Sequence, residues 1–316
     1  MSEELKARTK AFAFRVPRSL LAWAGWQLEM PGEWQPMKLS GTPEKGEMIV
    51  GDATCALFRV QWERLNRAPG PDGPGWVTER IRRHGVLPDA APPAAAHFTA
   101  CGWAQGVQTE EDKQTTYWYG YAAPAGLLLG VTVNGVLPAA QRRQVTGQVL
   151  PSLRATPADA DSVWSMYDVS FAAPAGFRLV RRHLYSGDLA LEFARGRCET
   201  LLLRQVYPGD LALGRRSFER WLDAGPFQKY RRLRQAGTTA EPWPRGAEGT
   251  GLRRQGRRRL PWPLGGIAPR WTSALAVHDR RLNRLLIVEH TSAAETDGAL
   301  CSAALAGMNR PRQGES

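Results

Sequence analysis

Five histidines occur in the chain, at 84, 97, 183, 278 and 290, and two of them have acidic neighbours along the sequence. His278-Asp279 and Glu289-His290 lie on adjacent predicted strands joined by a hairpin, so two imidazoles and two carboxylates can be brought together. General acid–base work or metal binding needs such a set. Neighbours along a strand point to opposite faces, however, so one member of each pair turns away and solvated strand ends are the better reading. An enzyme working through His278, Glu289 and His290 in a groove between two lobes is the least favoured class. The stretch Gly209-Asp-Leu-Ala-Leu-Gly214-Arg-Arg-Ser217 comes nearest to a phosphate-binding loop. That loop needs Lys directly after the second Gly with Ser or Thr next, whereas here two arginines intervene and Ser217 is better explained as a helix cap. HExxH, GxSxG and CxxC do not occur, and the four cysteines at 55, 101, 198 and 301 stand alone. Lone thiols at such spacing fit a reducing compartment. No catalytic, cofactor-binding or metal-ligating residue is assigned, and a non-enzymatic protein is expected.

Binding surfaces are better represented than reactive groups. Lys and Arg number 42 against 30 Asp and Glu, a formal net charge of +12. The excess is uneven: 17 cations face 14 anions in residues 1–155, and 25 face 16 in residues 156–316. The second half gathers Arg253, Arg254, Arg257, Arg258 and Arg259, with Arg231, Arg232 and Arg234 upstream. Such a cluster suits phosphates, so a nucleic acid bound by the second half is the alternative to a protein partner. The first half carries Glu110, Glu111 and Asp112 after Gln105-Gly106, where the second carries its arginines after Gln255-Gly256. Opposite charge on matching segments leads to the expectation that these edges meet, within one chain or between chains. Tyr117, Tyr119 and Tyr121 alternate along one predicted strand and offer three amphipathic rings on one face. Twelve tryptophans, several alternating within strands, read as core packing.

The elements that position these residues occur twice. Trp26-Gln-Leu-Glu-Met-Pro31-Gly-Glu-Trp34, Gly46-Glu-Met-Ile-Val and Leu57-Phe-Arg59-Val-Gln-Trp62 recur as Val169-Ser-Phe-Ala-Ala-Pro174-Ala-Gly-Phe177, Gly187-Asp-Leu-Ala-Leu and Leu202-Leu-Arg204-Gln-Val-Tyr207. The offset is about 143 residues throughout, which marks an internal repeat. Each copy then has a short helix with Glu-Arg, at Glu79-Arg80 and Glu219-Arg220, further strands, and a closing helix. The closing helices start at Pro138, with Val145, Val149 and Leu153 on one face, and present Leu300, Ala304, Leu305 and Met308 in the second copy. With 316 residues, about twice the ~150 of one domain, two domains are expected, 1–155 and 156–316. The expected fold class is α+β: two tandem copies of an antiparallel sheet sandwiched with helices.

Strand, Pro-x-Gly-aromatic, hairpin, mid-chain helix, further strands and C-terminal helix resemble the PsbP-like fold, with its DcrB-like proteins and Eag-type chaperones. The resemblance covers roughly 20–155 and 163–308 and rests on element order with Pro31/Trp34 and Pro174/Phe177. It implies small binding or adaptor modules, and no functional residue carries over. Hydrophobic residues at 43% and charged ones at 23% exclude disordered, collagenous and coiled-coil classes. The apolar stretches fall short of the ~20 residues a membrane span needs. Arg15 and Arg18 interrupt the only signal-peptide-like stretch, so a cytoplasmic location is expected.

Overall fold

The computed structural model describes residues 18–65, 79, 82, 103–110, 113–167, 169–226, 234–242, 249–258, 270–294 and 298–308. The chain divides into two compact units. One holds the described residues of Met1–Pro157 and Ser165–Asp168, the other those of Ala158–Trp164 and Val169–Arg310. The division is therefore not a single cut near Thr156, because a short return after residue 164 belongs with the first unit.

Unit 1 opens with a hairpin, β1 (Arg18–Trp23) and β2 (Trp26–Pro31), which turns through Ala24 and Gly25 at φ 49° and 89°. The strands β3 (Gln35–Gly41), β4 (Lys45–Gly51), β5 (Ala56–Arg64), β6 (Trp103–Glu110), β7 (Lys113–Ala122) and β8 (Leu127–Val133) follow. They form one antiparallel sheet in the order β3-β4-β5-β8-β7-β6. Strand β5 shows why: Phe58, Val60 and Trp62 are buried while Arg59 and Glu63 alternate with them on the other face, the period of two of a half-buried strand. On the apolar face Trp62 lies 6.2 Å from Trp26, and Trp34 6.2 Å from Phe58, between ring centroids. Helix α1 (Ala139–Gln144) starts behind Pro138 and runs on in helical turns that bury Val145, Val149 and Leu150. The short β9 (Arg154–Ala155) then pairs with β2. Arg64 ties these parts together, donating to the Ala125 and Ala24 carbonyls at 3.0 and 3.2 Å.

Strand β10 (Ser162–Met166) runs through the change of unit, its Ser165 pairing with Ala22 of β1. In unit 2, β11 (Val169–Ala173) precedes β12 (Arg178–Tyr185), β13 (Asp188–Arg195), β14 (Glu199–Val206), β15 (Arg234–Pro242), β16 (Gly249–Arg258), β17 (Arg270–Asp279) and β18 (Arg284–Ser292). The last seven form a sheet ordered β12-β13-β14-β18-β17-β16-β15. Helices α2 (Gly209–Leu213) and α3 (Phe218–Ala224) bury Leu213, Phe218 and Leu222 against Leu252, Ala276, Leu285 and Ile287. The Ser217 hydroxyl caps α3 by accepting from the Arg220 amide. Helix α4 (Ala299–Gly307) packs on β11, β17 and β18 and buries Cys301, Ala304 and Leu305.

Among the described strands, the orders of the two sheets match element for element, and unit 2's sheet has β15 in addition at one edge. The pairing register matches as well. One continuous row crosses unit 1 as Lys38, Ile49, Arg59, Thr132, Tyr117, Gly106. Its counterpart in unit 2 is His183, Ala190, Arg204, Ile287, Ala276, Leu252. In each row an acid two residues back on the middle strand stands between the side chains of the two flanking strands. Glu47 stands 3.7 Å from both Lys38 and Arg59; Asp188 stands 3.7 Å from His183 and 2.6 Å from Arg204.

The α+β expectation is overturned. The described strands gather into three sheets of five, seven and six strands, and the described α-helices have five to nine residues, α1 continuing in other helical turns to Ser152. The fold is mainly β. The apolar stripes that read as helical layers are segments at or below the ~12–15 residues at which an isolated helix is marginal, so they depend on the sheets beside them. Among the described residues no helix is long and apolar enough to cross a membrane.

Candidate functional site

The tyrosine ladder is built into unit 1's interior. Tyr119 and Tyr121 are buried with Leu128, and Tyr117 and Leu65 pack against them. Tyr119 lies opposite Gly130, where an added Cβ would come within 2.6 Å of the ring. Gly130 is thus the floor on which the Tyr119 ring rests. Gly130→Ala should destabilise the chain by about 1–3 kcal/mol, the cost of forcing a packed ring aside, read as a lower urea midpoint with unchanged slope.

The arginine cluster is split by the alternation of β16. Arg253 turns toward α4 and donates to the Ser302 hydroxyl, while Arg254 on the opposite face pairs with Asp223 of α3 at 2.8 Å. Arg257 is exposed, its guanidinium 5.9 Å from the Trp271 ring. Arg258 faces Arg270 in the ladder, and Arg259 lies outside the described residues. Arg253 and Arg254, neighbours in sequence, therefore lie on opposite faces, and each is engaged by a helix of the fold. On the acidic side, Glu110 closes the β6–β7 hairpin opposite Lys113, and Glu111 and Asp112 lie outside the described residues.

The His/acid set is not assembled. His278 pairs across from Leu285, and Glu289 from Ala274. The two rows are four residues apart, about 13 Å along the strand. On the other face, His290 Nε2 lies 2.9 Å from Glu199 Oε1, and Arg195 grips the same carboxylate at 2.7 Å through each of two nitrogens. The Arg195 hydrogen bonds, followed by the one from His290, hold the Glu199 carboxyl below its usual range. Asp279 is likewise taken up by Arg284. Burial pushes the Cys301 thiol up to about 11, so it stays protonated and unreactive at neutral pH. Among the described residues no group of three or more His, Cys, Asp or Glu could hold a metal ion.

His278 lies under α2 and α3, with the Phe218 ring 5.9 Å away and Asp210 Oδ1 3.8 Å from Nε2. Burial, aided by Arg280, lowers its pKa below the ordinary 6.5. Between that lowered value and 6.5 the unfolded chain takes up a proton that the folded chain refuses, so unit 2 loses stability as pH falls through that window. Melting temperatures at pH 7.5 and 5.5 should therefore differ less in His278→Gln than in the wild type.

Among the described residues of unit 2, four of the exposed large apolar side chains lie at one end of the sheet, apart from Val180 on β12. Tyr185, Tyr207, Leu211 and Leu282 are 66%, 54%, 79% and 42% exposed. Backbone bonds fix their elements side by side. Tyr185 pairs with Asp188 across the β12–β13 turn, and the Tyr207 amide donates to Gly187 in that turn at 2.8 Å. The amides of Gly209 and Asp210, at the start of α2, donate to the Asn283 carbonyl at 2.6 Å and its Oδ1 at 2.8 Å, in the β17–β18 turn. Sequence reasoning missed this surface. Its one signal was Leu211, a large apolar residue inside the loop-like stretch tested for phosphate binding.

No family model matches the chain, and no curated protein does. A crystal structure from Bacteroides thetaiotaomicron VPI-5482 is similar at 11% identity and a TM-score of 0.32, over 50% of this chain and 53% of that one. The chain spans about half the length of that protein, and a likeness this weak carries no argument about fold or function.

Proposed function

We propose that the chain is a non-enzymatic, cytoplasmic protein-binding module made of a duplicated unit, and that a protein partner docks on the exposed sheet end of unit 2. The observation that carries the reading is the gathering of Tyr185, Tyr207, Leu211 and Leu282 on tethered elements. Large exposed apolar side chains normally occur singly, and a cluster held on rigid structure marks an interaction surface. Duplication is supported by the matching strand orders and by the paired rows through Arg59 and Arg204. Cys55, Cys198 and Cys301 are free thiols, which supports a reducing compartment. The binding role agrees with what the PsbP-like resemblance implies.

Capture from native lysate with nuclease present tests this, comparing wild type with Tyr207→Ala/Leu211→Ala and with Met37→Ala, an exposed position in unit 1. A stoichiometric protein retained by wild type and Met37→Ala but lost by the double variant is expected. Nucleic acid recovered without nuclease and lost with salt, unaffected by the double variant, would overturn the reading in favour of phosphate binding.

A further inference from the structure

We propose that the segment docking on this sheet end is an aliphatic stretch flanked by acidic residues, an inference that rests on the docking reading above. The argument is one of charge complementarity. Leu282 follows directly on Arg280 and Arg281 in the β17–β18 turn, and both arginines are exposed. Leu211 sits on α2, which leads into Arg215 and Arg216, also exposed. The Arg216 guanidinium rests on the carbonyls of Leu213 and Ala212 at 3.4 Å, at the end of the same helix. The acids of these elements are largely compensated from within. Asp188 is gripped by Arg204 through two bonds of 2.8 and 2.6 Å, and Asp279 is paired with Arg284. Asp210 is exposed, with Oδ1 3.8 Å from His278 Nε2, and stands as one acid against Arg215, Arg216, Arg280 and Arg281. The rim of the patch is therefore cationic while its centre is apolar.

That division of labour fixes the partner's chemistry. Leucine and tyrosine anchors supply affinity when desolvated, and rim charges set the sign preference and the speed of encounter. Tyr185 and Tyr207 could stack a base, but Leu211, the most exposed anchor, and Leu282 have no flat face for one, and this aliphatic half of the patch favours a peptide over a single-stranded nucleic acid.

The probe is a random peptide library displayed on phage, selected on the full chain and counter-selected on Tyr207→Ala/Leu211→Ala. Clones that need the patch should be enriched in Asp and Glu around Leu, Ile or Val. As synthetic peptides they should bind about tenfold more weakly to Arg280→Glu/Arg281→Glu, and to Arg215→Glu as a second variant, with the loss shrinking at high salt as screening predicts. Patch-dependent clones without acidic enrichment, or indifferent to charge reversal, would overturn this inference and leave the docking reading standing. No patch-dependent clone at all, or displacement of every clone by a single-stranded oligonucleotide, would overturn both.

Discussion

Arg284→Met is expected to destabilise unit 2 by about 3–5 kcal/mol, the cost of leaving a buried charge without its partner. Arg284 and Asp279 have side chains only 9% and 5% exposed, with Nε and Oδ2 at 3.3 Å. The same guanidinium donates to Gln205 Oε1 at 3.3 Å. Once Arg284 is gone, Asp279 must either protonate or stay ionised in a dry site, and both cost stability. The pair itself contributes little net, because its desolvation roughly offsets its attraction, so Arg284→Met/Asp279→Leu should recover much of the loss. Recovery will be incomplete, since Asp279 Oδ1 also accepts the Leu282 amide at 3.1 Å and so shapes the β17–β18 turn. Urea unfolding of the three proteins measures both effects. A single variant as stable as wild type would mean that the pair is not buried as described.

Trp62→Ala should cost unit 1 a similar ~3–5 kcal/mol, the usual price of emptying a buried aromatic site. The ring is 1% exposed, lies across Gly46, where a Cβ would come within 2.5 Å of it, and donates its indole N–H to the Thr42 carbonyl at 3.0 Å. Trp62→Phe refills part of the volume and loses the hydrogen bond, so a smaller loss of about 1–2 kcal/mol is expected. Near-ultraviolet circular dichroism would show whether the Trp26–Trp62 contact survives, and urea midpoints would order the variants.

Much of this architecture was legible because strand alternation is a local property. Phe58, Val60 and Trp62 announce a buried face, Pro138 a helix start and Ser217 a cap. Two repeated motifs with different offsets, at 46–50/187–191 and 57–62/202–207, fall in matching cross-strand rows. The match after Gln105-Gly106 fails. Gly106 shares its row with Tyr117 and Thr132, whereas Leu252, not Gly256, shares a row with Ala276 and Ile287. A four-residue slip is invisible without the pairing partner, because either register preserves alternation.

The balance of helix and strand was harder to read for a different reason. Apolar spacing at Phe218, Trp221 and Leu222 marks a helical face but not its length, and it is length that separates a helical layer from a plug on a sheet. Nor could the fate of the tyrosines be read from β7, since their burial depends on Leu65 and Leu128 from other elements. Arg253 and Arg254 illustrate the same limit. Alternation separates them, but only the positions of α4 and α3 decide that Ser302 and Asp223 engage them.

Amide hydrogen exchange of the full chain, with and without the captured partner, tests the central claim most directly. The account predicts slowed exchange at the Tyr185–Asp188 turn, across Tyr207–Leu213 and in the Asp279–Arg284 turn, and unchanged exchange along β16. Protection centred on β16 and its arginines, or confined to unit 1, would contradict it.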